Sequence, residues 1–211
     1  MNVTSIRGFT AYLSCDCIKT KYSFRFCSRS KKAPVDLIRW ILRTLEKQKK
    51  TVNFVRFDKG GELGRYFEVN RMPVQEFNVV MQTTGGYASH LNGCTERGHR
   101  TDVDNVRANL YVAALDDKVR CFPLMHSNFV NLRWCRYPTT VTPYEKVKPS
   151  FRKFNAFGAT IYVHNPATKT LDHKATSEIF LGFGASTAIM YYYDPIITTI
   201  KRAHHAKIDD L

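Results

Sequence analysis

The decisive stretch of this sequence runs Val55-Arg56-Phe57-Asp58-Lys59-Gly60-Gly61-Glu62. Val52 to Phe57 is rich in β-branched and aromatic residues, and a Gly-Gly turn follows at once. That pattern predicts a short strand ending beside Asp58. Asp58 then stands at a strand's C-terminal edge, where α/β sheets collect their active sites. A second acid lies in Asn92-Gly93-Cys94-Thr95-Glu96-Arg97-Gly98-His99-Arg100. Here Glu96 enters the first turn of a long helix predicted from Thr95 to about Leu115, with Val103, Val106 and Leu110 on its core face. Taken singly, Asp58 reads as a turn former and Glu96 as a carboxylate favoured by the helix dipole.

Upstream, Thr10 to Ile18 and Tyr22 to Cys27 read as a β-hairpin. A helix opens at Pro34, with Val35, Ile38, Ile41, Leu42 and Leu45 at helical spacing and Lys47, Lys49 and Lys50 at its end. Pro73 breaks any helix begun at Tyr66 to Arg71, and Asn78 to Thr83 reads as another strand before a Gly85-Gly86 loop. A second helical piece is expected between Met125 and Trp134, then an extended linker from Tyr137 to Ser150, which holds Pro138, Pro143 and Pro149. After it come four short β runs: Phe157 to Val163, Ser177 to Phe183, Ile189 to Tyr193 and Thr198 to Ala203. The expected class is α+β, with a boundary near residue 145 and a small β-barrel after it.

Composition narrows the partners. The chain has 211 residues, 44% hydrophobic and 24% charged, which excludes a disordered chain. Its net charge is +14, which favours polyanions: nucleic acid first, anionic membrane second. No stretch suits a membrane span, since Gly182 and Gly184 interrupt Ile179 to Tyr193 and Asp194 closes it. The N-terminus does not read as a signal peptide. An intracellular chain, in nucleus or cytoplasm, with reduced thiols is therefore expected. Its six cysteines include no C-x-x-C pair and read as structural or incidental. His204 and His205 would point to opposite faces of a strand.

Charge concentrates between Lys19 and Lys50, where eleven basic residues face only Asp36 and Glu46. Lys19, Lys21, Lys31, Lys32, Arg39 and Arg43 are the expected phosphate contacts, with Arg97, Arg100 and Arg107 as a second basic surface.

Taken together, the two acidic segments resemble the integrase catalytic core of copia-type LTR retrotransposons. In that family R-x-D-N-G-G-E precedes N-G-x-x-E-R-x-N-R. The likeness extends through Arg136-Tyr137-Pro138-Thr139, Thr142-Pro143-Tyr144-Glu145, Lys148-Pro149-Ser150, Phe157-Gly158, Ile179-Phe180-Leu181-Gly182-Phe183 and Tyr192-Tyr193-Asp194-Pro195. Gly8-Phe9 and Tyr12 to Phe26 are similar to the family's second and third strands. The resemblance implies an RNase H-like core over residues 1–145, N-terminally truncated, and an SH3-like module over 146–211. It implies two-metal transesterification by an Asp, Asp, Glu triad holding Mg²⁺ or Mn²⁺. Asp58 matches the second member and Glu96 the third, so both are the catalytic and metal candidates.

The departures point away from catalysis. No acid precedes Gly8, where the first strand and its Asp belong, and Asp16 matches a position outside the triad. Lys59 replaces the Asn beside Asp58, and Gly98-His99 replaces the basic residue and Asn after Glu96-Arg97. The family's N-terminal zinc-binding domain is also absent. The expectation is an integrase remnant that binds DNA, holds Mg²⁺ or Mn²⁺ unproductively, and forms homo-oligomers as integrases do. The alternatives are an active integrase completed by upstream sequence, or a domesticated module binding nucleic acid or protein. Residues 150–211 are expected to fold better alone than residues 1–145.

Overall fold

The structure is a computed structural model describing residues 4–30, 35–58, 72–84, 93–134, 142–143, 154–165, 173–184 and 186–209. Pro34, Tyr66 to Arg71, the Gly85-Gly86 loop and most of the proline-rich linker lie outside the described residues, as do Lys31, Lys32, Asn92 and Lys59 to Glu62.

The chain is mixed α+β. Strands β1 (Ala11–Asp16) and β2 (Ser23–Ser28) form the expected hairpin, pairing antiparallel from Ala11 with Ser28 to Asp16 with Ser23. Helix α1 (Val35–Lys47) follows, burying Ile41 and Leu42. Strand β3 (Phe54–Asp58) pairs in parallel with β4 (Val80–Thr84) through the crossover helix α2 (Met72–Phe77). Pro73 sits second in α2, a first-turn position that needs no backbone N–H, and the segment Tyr66 to Arg71 that it was expected to end lies outside the described residues. Among the described residues the hairpin and the β3–β4 pair are two separate sheets.

Period-two alternation gives the hairpin two unlike faces. Phe24 and Phe26 stack on one, and Phe26 meets the edge of Trp40 on α1 with ring centroids 5.6 Å apart. The opposite face carries Tyr12, Ser14 and Asp16 on β1 against Cys27, Arg25 and Ser23 on β2. It meets helices α3 (Gly93–Val112) and α4 (Cys121–Arg133), which a 3₁₀ turn at Asp117–Val119 separates. Helix α4 starts four residues before the segment expected from Met125.

The remaining strands, β5 (Thr160–His164), β6 (Ala175–Phe183), β7 (Met190–Asp194), β8 (Thr199–Ala203) and β9 (Ala206–Ile208), make one antiparallel sheet in the order β8-β7-β6-β5-β9. Four of these match the expected β runs, and β9 is additional. His204 and His205 are corrected: they occupy the bend between β8 and β9, and both are exposed. The expected barrel is only partly realised. No ladder joins β8 to β9 among the described residues. Yet Ala203 of β8 packs in one cluster with Ala206 and Ile208 of β9, so the two ends of the sheet converge on a shared core.

That cluster (Ile161, Phe180, Met190, Tyr192 and Ala203) comes from strands alone. The second cluster does not. Val119, Phe122, Phe157 and Leu181 are buried together, with Leu110, Ala113, Tyr191 and Ile200 packed around them. It draws on both sides of residue 145. A register shift between Phe180 and Gly182 marks a β-bulge, and these adjacent residues, Phe180 and Leu181, are committed to different cores. Gly158, at φ +84°, allows the chain to approach α3, since a Cβ there would lie 2.5 Å from the Cβ of Ala113.

His126 of α4 is buried where the helix meets this sheet. Its ring packs against Phe157 and Phe180, and Nδ1 has no hydrogen-bond partner. Burial lowers its pKa to about 4. A depressed histidine favours folding above its unfolded value near 6.5, and that contribution is lost as pH falls toward 4. Stability should therefore drop by about 3 kcal/mol more in the native chain than in His126→Leu between pH 7.5 and 4. Urea midpoints of the two proteins across that range check it, and parallel pH curves would refute it.

Candidate nucleic-acid interface and carboxylate pair

Asp58 is the last residue of β3, paired in register with Thr84 of β4, and the placement of its side chain lies outside the described residues. Glu96 lies in the first turn of α3, on the exposed side of that helix with Arg97, Arg100 and Arg107. At 100° per residue, these four positions share one face, and His99, Asp102, Val106 and Asn109 share the opposite one. Of the expected core face only Val103 is corrected, since Val106 is half-buried and Leu110 packs against the second cluster. Val103 is 39% exposed, and the buried residue of α3 is Asp102. The helix turns this way because a charged group on the hairpin requires a partner.

That group is Arg25. Its side chain is 5% exposed, and it donates to Asp16 at 2.7 Å and to Asp102 at 2.6 Å. Burial opposes the Arg25 charge, but its bonds and fields from Asp16 and Asp102 outweigh that and raise its pKa. Burial likewise lifts the Asp102 carboxyl above the ordinary aspartate value, against the pull of Arg25. Ser14 donates to Asp16, and the Tyr12 hydroxyl shares a 2.6 Å hydrogen bond with His99 Nδ1. Burial, assisted by Asp102, pushes the Tyr12 phenol up to about 12. Asp16 is therefore engaged by Arg25, on the α3 face opposite Glu96. Among the described residues, no group of three metal-ligating side chains could hold an ion.

The basic surface is uneven. Lys19 and Lys21 are exposed in the β1–β2 turn. Arg39 is not a free cation. It pairs with Asp36 and with Glu76 of α2, each at 3.0 Å, and Glu76 also reaches Arg43 at 3.8 Å. Arg43 remains 61% exposed, and Arg107 is 77% exposed beside Asp104. Of the expected phosphate contacts, Lys19, Lys21, Arg43, Arg97, Arg100 and Arg107 are thus exposed among the described residues. Arg25, counted with the basic segment by sequence, is internal.

The sequence reading missed Asp102 and the Tyr12–His99 contact. A signal was present. Alternation places Tyr12, Ser14, Asp16, Ser23, Arg25 and Cys27 on one hairpin face, and so many polar groups on a covered face demand charged partners from a neighbouring element.

Among the described residues, no helix is long and apolar enough to cross a membrane. No family model matches the chain, and no curated protein does. Among solved structures, it is similar to a chain in the simian T-cell lymphotropic virus intasome determined in complex with PP2A regulatory subunit B56 gamma. The likeness has a TM-score of 0.42 and 8% identity, and covers 94% of this chain and 79% of that one.

Proposed function

We propose that this protein is a copia-type integrase remnant that binds DNA and does not transfer strands. The observation that carries this reading is the placement of its two acids. One ends a strand that lies parallel to its neighbour, and the other enters the first turn of the next long helix. The antiparallel pair β1–β2 before them and the separate five-stranded sheet after them are consistent with an RNase H-like core and an SH3-like module. The basic surplus supplies the affinity for phosphates.

The absence of catalysis follows from the acids. Two-metal chemistry needs a further carboxylate beside Asp58 and Glu96. Asp16, the one acid on β1, is engaged with Arg25. Asp58 and Glu96 alone would hold Mg²⁺ or Mn²⁺ weakly. Protein mixed with labelled duplex ends and either ion should yield no strand-transfer or end-processing product. Product that vanishes in Asp58→Asn would overturn the reading.

DNA should nonetheless bind without marked sequence preference. About six phosphate contacts would give a log–log salt slope of about −5. Reversing Lys19, Lys21 and Arg43 to Glu should flatten that slope. If the triple variant keeps it, and reversal of Arg97, Arg100 and Arg107 flattens it instead, α3 is the DNA surface.

A further inference from the structure

Strand β2 lies along helix α4, and two contacts mark the ends of that line. Ser23 donates to the side chain of Asn128 at 2.6 Å, and Asn128 returns a bond to the Ser23 carbonyl at 3.3 Å. At the other end, Cys27 and Cys121 lie near enough for their side chains to interact. The spacings agree. Four strand residues cover about 13 Å, and seven helical residues about 10 Å. The strand and helix therefore run in opposite directions side by side, and the two sulfurs meet because of the packing of whole elements. Cys27 shares the helix-facing side of β2 with Ser23 and Arg25, both of which are anchored. Cys121 is the first residue of α4 and is buried, whereas Cys27 is partly exposed. The Ser5 hydroxyl and Arg120 lie near the Cys121 sulfur, and both favour its thiolate.

We propose that Cys27 and Cys121 form an oxidisable dithiol, which peroxide converts to a disulfide locking the hairpin onto α4. Cys121 is the thiolate partner: interaction with Cys27 lowers its pKa to about 7, and the same interaction together with burial raises the Cys27 pKa. The Cys121 thiolate attacks one peroxide oxygen. The O–O bond breaks, hydroxide leaves and takes up the proton lost by Cys121, and a sulfenic acid remains. Cys27 sulfur then attacks the sulfenic sulfur. The S–S bond forms as the S–O bond breaks, and the departing hydroxide takes the Cys27 proton. Two thiols lose two electrons in total, one peroxide gains them, and two waters are released. Neither Cys15 nor Cys17 competes by geometry, since Cys15 points from β1 to the hairpin's other face and Cys17 accepts from the Thr20 N–H at 3.5 Å.

The full reduced chain should be treated with hydrogen peroxide, blocked with N-ethylmaleimide, and digested with trypsin without reduction. The expected product is peptide Phe26–Arg29 joined to peptide Cys121–Arg133, two hydrogens lighter than the pair, with two of the six thiols lost. Cys27→Ser and Cys121→Ser should each abolish it. Its yield should fall at least ten-fold when the chain is oxidised in urea. The proposal is overturned if both cysteines remain alkylated after peroxide, if Cys15 or Cys17 takes either place, or if the unfolded chain cross-links equally well.

Discussion

Arg25→Met should unfold at a much lower urea concentration than the native chain, with a loss of about 3–5 kcal/mol. The methionine retains much of the aliphatic volume and removes the charge. Asp16 and Asp102 then face each other across a covered interface, with no cation between them. Leaving the buried Asp102 and the half-buried Asp16 without their cation costs far more than the native triad contributes. A second substitution separates charge from packing. Arg25→Met combined with Asp102→Leu should recover part of the loss, because fewer uncompensated charges remain. Urea unfolding followed by far-ultraviolet circular dichroism gives both values. A single-variant loss under about 1 kcal/mol would place Arg25 in solvent and disprove the buried triad.

Residues 150–211 expressed alone should fail to unfold cooperatively, although sequence had suggested the opposite. Their strands retain the Ile161–Phe180–Tyr192 cluster. They lose the cover that Leu110, Ala113, Val119 and Phe122 place over Phe157, Leu181, Tyr191 and Ile200. Each large apolar side chain returned to water costs about 1.5–3 kcal/mol. Several of them together exceed what a domain near 60 residues has in reserve. A fragment of residues 93–211 restores the helical cover and should recover a sharp thermal transition. Cooperative unfolding of 150–211 with a midpoint equal to that of 93–211 would show that the helices add nothing to the sheet.

Much of this molecule was legible from local pattern. Alternation and turn residues located the hairpin, β3 and four of the five C-terminal strands. Helical spacing located α1 and α3. Local pattern alone places Asp58 at the end of β3 and Glu96 in the first turn of α3. These features depend on neighbours within a few residues, where propensity and period act directly. Helix α2 was missed because a proline in a first turn looks like a breaker when the helix start is unknown. Strand β9 was missed because three residues carry too little periodicity.

The sequence by itself determined the α+β class, the basic surplus between Lys19 and Lys50, and the identity of the two candidate acids. Tertiary structure alone decided which charges are available. Arg25 lies among the cations of the basic segment, yet its partner Asp102 is 77 residues away. Glu76, 37 residues from Arg39, neutralises what the basic segment itself could not. Tertiary packing also drew one hydrophobic cluster from both sides of residue 145. The physical reason is the same in each case. Burial raises the cost of an unpaired charge or an exposed apolar face, and the group that relieves it is supplied by whichever element the fold brings near, at any distance along the chain.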